Sequence, residues 1–569
     1  METQNKSLDL FQGNTYHPFN LESGFGVYNM FLNEINQMKS FWGYKETKNE
    51  SFATGKYLAN LITKNGKNLI IADEEGIIIL QYNPITGDFL QPVPKLFFKN
   101  VRNNLYPNAK NWNPNPNGYS ITENETGIIY ITDGSIGGLY ILYISYLENG
   151  EIDSTIYFTQ FPYNQVPNQT APNVNPLDLN NNIIHLINPA QLEYLDTHII
   201  IVDDATGGMY VLDGITIADN GTPINPLNFT GTTISAEIRI QSIPCNITSV
   251  KRINRELHVI GTRCIETWYS VASDRPIARY PNKLQEVGTK LRNTIVKFNG
   301  KLFFLGSSDD KQYQIYLWNG DNNKPTPVIK NNLNYLFVNL NDFSSITFTA
   351  LSTSGQEFGI VNFGGTTNLN FSILINFYTQ DSFYLVDTFQ KQNSRFLADD
   401  IFRFQDQYFF ISWNINRIYK FGDQYTSYNG HHIDCSIRTN QFFSENNKLI
   451  KLSNCNINFA PIPSYYYSQF IHECIPVLQD NTNTSVTFLI KDENNKWKQF
   501  NNGFFKIDRK TFHRLFKENF VTGYNPQIII KFYQATAMQP FVFELNKEQN
   551  NLIYFPIILN SLQITAIER

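Results

Sequence analysis

The sequence contains little cysteine and little charge, and both scarcities limit what the protein can be. Its 569 residues include five cysteines, widely spaced and without a Cys-x-x-Cys pair, which is not the pattern of a disulfide scaffold or a structural zinc module. We therefore expect reduced, mostly buried thiols in a protein assembled in a cytoplasm. Charged residues amount to 17%, the net charge is -5, and no basic run could neutralise many phosphates, so tight DNA binding is not expected.

Long apolar runs are missing as well. Residues 1–14 contain no apolar signal core, which predicts that nothing directs secretion. The longest apolar stretch, residues 127–147, includes Asp133 and four glycines, so it is interpreted as hairpin strands and no membrane span is predicted. The most basic neighbourhood, residues 95–102, is interpreted as a strand with solvated ends.

Catalytic signatures are absent too: the sequence has no phosphate loop, no nucleophile elbow and no metalloprotease helix. Three pairs of adjacent acids could suggest a glycosidase, namely Asp203–Asp204, Asp309–Asp310 and Asp399–Asp400. Adjacent residues on a strand point to opposite faces, so these carboxylates do not converge as an acid–base pair must. We interpret them as caps of tight turns.

Two further candidates for chemistry receive a structural interpretation. Glu266 lies between aromatic residues, and we expect its carboxylate to accept a hydrogen bond from the backbone of a neighbouring blade. A zinc site could be imagined from scattered ligands, but single ligands about 20 residues apart lack the close pairs of structural zinc modules. The imagined ligands are His431, His432, Cys435, Cys455, His472 and Cys474. The sequence thus predicts no catalytic residue, no cofactor and no metal.

Aromatic residues are abundant by contrast. With 45 Phe and 32 Tyr the aromatic content is 15%, which favours β-structure and contact surfaces for partners. Seven strand–turn–strand units follow one another along the chain. Each has an apolar run, a turn with small or acidic residues, and a return strand. Their turns lie near Asp73, Asp133, Asp203, Gly261, Gly306, Gly364 and Asn414.

This spacing of about 45 to 70 residues is typical of a β-propeller, in which stacked blades cover the two apolar faces of each hairpin. We predict an all-β fold: a propeller of six blades, or alternatively seven, at residues 61–430, followed by a β-sandwich-like domain at residues 431–569. Residues 1–60 form an N-terminal segment, partly helical or extended. Loops rich in Asn and Pro at residues 106–119, 162–176 and 321–327 are either contact surfaces for neighbouring subunits or plain surface loops.

Two short helices are predicted within this β-rich chain. Tyr28, Phe31, Leu32 and Ile35 have helical spacing near the N-terminus. In the last domain Asp508 is placed to cap a helix whose apolar face holds Phe512, Leu515, Phe516 and Phe520.

An ordered series of residues in the middle of the chain resembles a known family. A strand ends at Gly261, and Ile265-Glu266-x-Trp268-Tyr269, Arg279-Tyr280-Pro281, Glu286-Val287-Gly288, Phe303-Phe304-Leu305-Gly306, Asn319-Gly320 and Pro327-Val328-Ile329 follow. This series is similar to the packaged-DNA stabilisation family of short-tailed bacteriophages, the tail hub or nozzle protein below the portal. The match is densest over residues 255–335. Cys264 departs from the family pattern, which usually has Ser there.

The resemblance implies a structural protein of the virion tail rather than an enzyme. Its motif residues are Gly261, Ile265, Glu266, Trp268, Gly288 and Gly306. It implies a ring of six copies that extends the portal channel, retains the packaged DNA without reading its sequence, and joins the portal adaptor and other tail proteins such as a spike, fibre or needle. The alternative is a carbohydrate-binding or glycosidase-like propeller that acts as a receptor-binding tail component.

Overall fold

The fold is all-β, with almost no helix among the residues that the structure describes, and it has the arrangement of a six-blade β-propeller. The computed structural model describes residues 3–7, 26–35, 37–47, 57–105, 114–115, 117–135, 137–147, 152–160, 188–213, 238–272, 276–307, 313–328, 337, 346–353, 355–363, 371–387, 394–412, 417–438, 450–459, 484–491, 497–499, 505–507, 513–523, 528–533, 536–538, 552–554 and 558–568. Within these residues no helix has the length and apolarity needed to cross a membrane. The predicted propeller and its preferred count of six blades are confirmed.

The chain divides into two compact units. The central unit comprises residues 47–327 and 411–418, and the terminal unit comprises residues 1–46, 328–410 and 419–569. The domain limits expected from the sequence, 61–430 and 431–569, stay a prediction.

The N-terminal part of the terminal unit consists of short strands. They are β1 (Thr3–Ser7), β2 (Gly26–Tyr28), β3 (Met30–Leu32), β4 (Met38–Ser40) and β5 (Gly43–Glu46). The helix predicted from Tyr28, Phe31, Leu32 and Ile35 is therefore wrong. Asn29 adopts a left-handed φ of 54°, which breaks any helix at that point, and its side-chain amide donates to the carbonyls of Val386 and Asp434. Pairing with distant segments thus overrides the local spacing.

The central unit is a succession of small antiparallel sheets. Its elements are β6 (Tyr57–Ile62), β7 (Asn68–Asp73), β8 (Gly76–Asn83), β9 (Asp88–Leu90), β10 (Leu96–Phe97), helix α1 (Phe98–Leu105), β11 (Tyr119–Glu123), β12 (Ile128–Asp133), β13 (Leu139–Tyr146), β14 (Ile152–Gln160), β15 (Pro189–Leu195), β16 (His198–Asp203), β17 (Gly208–Asp213), β18 (Ile247–Ile253), β19 (Glu256–Gly261), β20 (Ile265–Ser270), β21 (Ile277–Gln285), a 3-10 helix (Arg292–Thr294), β22 (Val296–Phe298), β23 (Lys301–Ser307), β24 (Tyr313–Trp318) and β25 (Thr326–Pro327). They form sheets β6–β10, β11–β14, β15–β17, β18–β21 and β22–β25.

Each pair of consecutive sheets in the central unit shares one apolar core. Ile131 from the second sheet packs with Ile70 and Ile79 from the first, and Ile141 packs with Ile199 and Ile201 from the third. The same holds for the third and fourth sheets and for the fourth and fifth. The inner strands of the second, third and fourth sheets each contribute to two cores, which explains the continuous β-branched runs in these strands.

Helix α1 corrects the interpretation of residues 95–102 as a strand. Only Leu96 and Phe97 are extended, and the helix begins at Phe98. Phe98 is fully buried, and its ring centroid lies 4.5 Å from that of Tyr140. The helix therefore contributes an aromatic side chain to the first shared core.

The remaining strands follow residue 328. They are β26 (Thr347–Thr353), β27 (Gln356–Asn362), β28 (Ser372–Asn376), β29 (Ser382–Asp387), β30 (Ser394–Arg395), β31 (Asp400–Phe404), β32 (Gln407–Ser412), β33 (Arg417–Gly422), β34 (Cys435–Arg438), β35 (Ile450–Phe459), β36 (Thr484–Lys491), β37 (Trp497–Gln499), β38 (Phe505–Ile507), β39 (His513–Gly523), β40 (Ile528–Tyr533), β41 (Thr536–Met538), β42 (Leu552–Tyr554) and β43 (Ile558–Glu568). With these, all seven predicted hairpins are confirmed: β7–β8, β12–β13, β16–β17, β19–β20, β23–β24, β27–β28 and β32–β33.

Among the described residues, these strands and β1–β5 form sheets of eleven, six, four and two strands. The orders are β31-β32-β33-β5, β26-β27-β28-β29-β2-β34-β40-β36-β37, β3-β4-β43-β35-β39 and β41-β42. The helix predicted from Leu515, Phe516 and Phe520 is wrong, because these residues lie in strand β39, which pairs with β35; Asp508 and Phe512 lie outside the described residues. Register shifts next to Ser453 interrupt this pairing, and such bulges disturb the alternation by which a strand is recognised. The sandwich itself stays a prediction.

Candidate functional site

The three glycines of the predicted motif meet between the fourth and fifth sheets. The N–H of Thr289 donates to the carbonyl of Gly261 at 2.9 Å, and Gly288 and Ser307 exchange backbone hydrogen bonds of 3.2 and 2.9 Å. Gly306 precedes Ser307 on β23. We call this set, Gly261, Gly288 and Gly306, the glycine junction. It joins the end of β19 to the segment after β21 and to β23.

The close backbone approach explains why glycine occupies the centre of this junction. A Cβ atom on Gly288 would lie 2.3 Å from the carbonyl oxygen of Gly261 and 2.4 Å from the backbone nitrogen of Arg263. Both are backbone atoms, which cannot turn away as a flexible side chain can. At Gly306 a Cβ would meet the ring of Phe304 at 2.7 Å. Only glycine fits at these positions, because a Cβ atom would collide with neighbouring atoms.

The side chains of Ile265 and Trp268 of the motif lie on opposite faces of one strand. Ile265 packs into the core that the fourth sheet shares with the fifth, and Trp268 packs into the core that it shares with the third. Both side chains are buried. The sequence prediction of a strand packed on both faces is confirmed.

Glu266 lies on the same face as Trp268 and holds a connecting segment in place. Its Oε1 accepts the backbone N–H of Gln241 at 3.1 Å and of Ser242 at 2.8 Å, and its Oε2 accepts the indole N–H of Trp268 at 3.2 Å. The guanidinium of Arg279 lies 3.4 Å away. The carboxylate is 1% exposed, which requires such partners. As expected it binds backbone, but the backbone belongs to the segment that leads into its own sheet.

The acids at the hairpin tips cap turns. Oδ1 of Asp73 accepts the N–H groups of Glu75 and Gly76, each at 2.9 Å. Asp133 and Asp203 accept the N–H two residues ahead at the same distance. Asp204, next in the chain, forms a two-point ion pair with Arg292. Asp73, Asp133 and Asp203 thus cap their turns as predicted, whereas Asp204 pairs with a distant arginine.

The other paired acids do not form a dyad among the described residues. Asp399 is held by the guanidinium of Arg395 and by the hydroxyl of Thr347 at 3.2 Å, and Asp400 starts β31. Asp309 and Asp310 lie outside the described residues.

The imagined zinc ligands have other surroundings where they are described. Cys435 is buried and its sulfur lies 3.4 Å from the carbonyl oxygen of Asn29. His432 pairs with Asp434 at 2.6 Å, and that hydrogen bond raises the pKa of the imidazole. In the part of the chain that the structure describes, no three His, Cys, Asp or Glu side chains are grouped as metal ligands. His472 and Cys474 lie outside it.

A cavity of about 380 Å³ opens in the terminal unit, next to β32 and β33. Arg403 and Asp406 form an exposed ion pair at its rim. Deeper in the cavity the amide of Gln424 donates to Gln407 at 2.7 Å, and the hydroxyl of Tyr408 donates to the carbonyl of Ser352 at 2.8 Å. Its polar lining consists mostly of groups that already bind each other.

Sequence reasoning missed a close pair of thiols beside the glycine junction. The Sγ atoms of Cys245 and Cys264 lie 3.4 Å apart, although the residues are widely separated in the sequence. Cys264 is buried, whereas Cys245 is partly exposed. Hairpin periodicity could not reveal the pair, because Cys245 lies in the irregular segment of residues 238–246 before β18.

Comparisons with known proteins add only distant likenesses. No family model and no curated protein matches the chain. Among solved structures it is similar to the WD40 domain of Pan2 from Neurospora crassa, at 8% identity and a TM-score of 0.32 over 65% of this chain and 89% of that one. It is also similar to the dihydro-heme d1 dehydrogenase NirN, at 9% identity and a TM-score of 0.30 over 72% and 70%. Likenesses this distant carry no argument about activity.

Proposed function

We propose that the chain is a structural protein of a bacteriophage tail, the hub or nozzle that extends the portal channel and retains packaged DNA. In this proposal six copies form a ring that joins the portal adaptor and the other tail proteins, and DNA passes through without sequence-specific contacts. Assembly takes place in the host cytoplasm.

The glycine junction is the observation that supports this proposal most. The motif on which the family resemblance rests has an architectural role in the fold: its glycines allow backbones to touch, Ile265 and Trp268 fill two cores, and Glu266 fixes a segment. A motif of this kind suits a rigid tail component better than an enzyme, whose signature residues would converge on a substrate.

The proposal is tested on the virus particle. Reconstruction of the mature particle is expected to show six copies around the tail axis beneath the portal, the number that the family resemblance implies for a ring closed by repeated interfaces. Particles made without the gene are expected to fill with DNA and then leak it. Location of the chain in capsid faces or peripheral fibres, or full infectivity without it, would refute the proposal.

The polar cavity favours a second candidate, a carbohydrate-binding propeller that recognises the host surface. Its exposed rim pair, Arg403 and Asp406, consists of groups that can bind sugar hydroxyls, whereas the amides of Gln407 and Gln424 already bind each other. Because Arg403 and Asp406 are exposed, Arg403→Ala and Asp406→Asn should leave folding intact. If this candidate holds, both variants lose binding to host polysaccharide, whereas the exposed control Glu34→Gln keeps it. Absence of binding by the unmodified protein rules the candidate out.

A further inference from the structure

We propose that Cys245 and Cys264 form an oxidation site of two thiols, in which Cys245 reacts first with a hydroperoxide and Cys264 then closes a disulfide. This inference does not depend on the proposed function. It rests on the position of the two sulfur atoms in the fold, on the unequal exposure of the two residues, and on the hydrogen bonds around them.

The distance between the sulfurs is short enough for bond formation. They are 3.4 Å apart, and a disulfide requires about 2.05 Å, so an approach of roughly 1.4 Å suffices. Cys245 belongs to an irregular segment and not to a strand, and it lies three residues beyond the point at which Glu266 holds that segment. Cys264 precedes β20 directly and provides the fixed partner.

The glycine junction makes room for this pair. A Cβ on Gly261 would lie 2.6 Å from the Sγ of Cys245 and 2.5 Å from Cδ1 of Ile240. Any other residue at this position would displace the thiol from its place beside Cys264. The carbonyl of Cys264 also accepts the N–H of Gly261 at 2.8 Å, which anchors the second cysteine.

The surroundings of the two sulfurs differ, which decides the order of reaction. The contact with the Cys264 thiol, and then the backbone N–H groups of Arg263 and Thr262, lower the pKa of the Cys245 thiol. The same contact raises the pKa of Cys264, and burial adds to this. Because Cys245 is partly exposed whereas Cys264 is buried, a peroxide reaches Cys245 first, and the lowered pKa of Cys245 favours its reactive thiolate form.

Oxidation proceeds in two balanced steps. The thiolate of Cys245 attacks one oxygen of hydrogen peroxide, the O–O bond breaks, hydroxide leaves, and a sulfenic acid forms. The sulfur of Cys264 loses its proton and attacks the sulfur of Cys245, the S–O bond breaks, and water leaves. The sulfurs give up two electrons, which reduce the peroxide. Once Cys245 is uncharged it no longer raises the pKa of Cys264, so the second step becomes easier.

The test uses the full-length protein after reduction and removal of the reductant. Hydrogen peroxide is added at neutral pH, remaining thiols are alkylated, and tryptic peptides are analysed by mass spectrometry. Trypsin separates the two cysteines, because cleavage after Arg239, Lys251, Arg263 and Arg279 gives peptides 240–251 and 264–279. We expect these peptides to be linked and lighter by two hydrogen atoms than their sum.

Matched variants identify the role of each thiol. Cys264→Ser should lose the link but still accumulate a Cys245 sulfenic acid that dimedone traps. Cys245→Ser should lose both, while the buried control Cys455→Ser keeps the link. In the unmodified reduced protein, Cys245 should be alkylated at a lower pH than an ordinary thiol requires, and buried Cys435 should not react.

The oxidised protein should also melt at a higher temperature than the reduced one, because the new bond restricts the unfolded chain, and dithiothreitol should reverse the shift. The proposal is overturned if excess peroxide gives no linked peptide in the folded protein, or if Cys245 is alkylated no faster than Cys435.

Discussion

The two units fill their interiors with different side chains. In the central unit the cores between sheets are built mainly from Ile, Leu and Val, as in the cluster around Ile141, Ile199 and Ile201. In the terminal unit eight rings pack together: Phe41, Trp42, Tyr44, Phe396, Phe410, Tyr419, Phe421 and Tyr428. We call these eight the aromatic cluster. All of them are buried.

The difference shows that aromatic content alone does not identify an interface. The 15% aromatic composition predicts surfaces for partners. Among the described residues, however, the exposed large apolar side chains are Ile35, Ile85, Leu90, Leu147 and Tyr378, four of them aliphatic. Among the described residues, most large aromatic side chains are buried in the core. The proposed ring of subunits therefore gains no support from the aromatic count.

Phe410→Ala should show the largest effect and tests the aromatic cluster directly. Phe410 is fully buried, with ring centroids of Tyr44 and Tyr419 at 5.1 and 5.0 Å. Loss of a buried ring leaves a cavity and is expected to lower the free energy of unfolding by about 3–5 kcal/mol. Urea denaturation measures the change. Tyr378→Ala is the control, because that ring is 67% exposed; equal costs for both variants would contradict the role of the cluster.

A drop in pH should have the next largest effect on stability, because it acts on His258, a buried residue of the central unit. His258 is fully buried against Trp318, with ring centroids 4.8 Å apart, and Thr267 contacts its Nδ1. Burial, with the charges of Lys283 and Lys297, lowers its pKa to about 4. The unfolded chain then binds a proton between pH 6.5 and about 4 that the folded protein does not, so stability falls as the pH drops through this window.

The expected loss is about 3 kcal/mol, from 1.36 kcal/mol for each pH unit between the unfolded and folded values. His258→Asn removes the titrating ring and keeps a polar atom near Thr267, so stability of the variant should depend less on pH between 6.5 and 4. The measurement is the difference between the two proteins in urea denaturation at several pH values. If both lose stability equally over this range, His258 does not titrate as described.

Glu266 allows a test of buried polar contacts of the central unit. Glu266→Leu leaves the N–H groups of Gln241 and Ser242 and the indole N–H of Trp268 without their acceptor, which should cost about 2 kcal/mol. Glu266→Gln retains an acceptor oxygen and should cost clearly less. Thermal or urea unfolding compares the two. Equal costs would indicate that the charge opposite Arg279 matters more than the hydrogen bonds.

The sequence predicted the hairpins well because their signals are local. Alternating or continuous apolar runs end at Asp or Gly, and the structure shows why: Asp73, Asp133 and Asp203 bind the N–H groups of their own turns. Three predictions of secondary structure failed where distant parts of the chain decide, namely at residues 28–35, 95–102 and 513–523. There a left-handed Asn29, a buried Phe98 and a bulged strand pairing override local spacing.

The candidate site was predictable only in part, for the same reason. The order of Gly261, Gly288 and Gly306 along the chain was recognised, but their contact depends on the pairing of segments that are far apart. The thiol pair was missed, because nothing in the spacing of Cys245 and Cys264 distinguishes neighbours from isolated buried thiols.

Ile201→Val should have the smallest effect and completes the comparison between the two kinds of core. Ile201 is fully buried, and it pairs with Leu192 on one side and Tyr210 on the other. Removing one methylene from this core should cost about 1 kcal/mol, since both residues are β-branched and fit a strand equally well. Ile85→Val is the matched control, because Ile85 is 93% exposed and the same deletion there removes almost no packing. The measurement is urea denaturation of both variants beside the unmodified protein. A cost at Ile201 no greater than at Ile85 would mean that the aliphatic core adapts to a lost methylene, and that side chains between consecutive sheets are packed less tightly than their burial indicates.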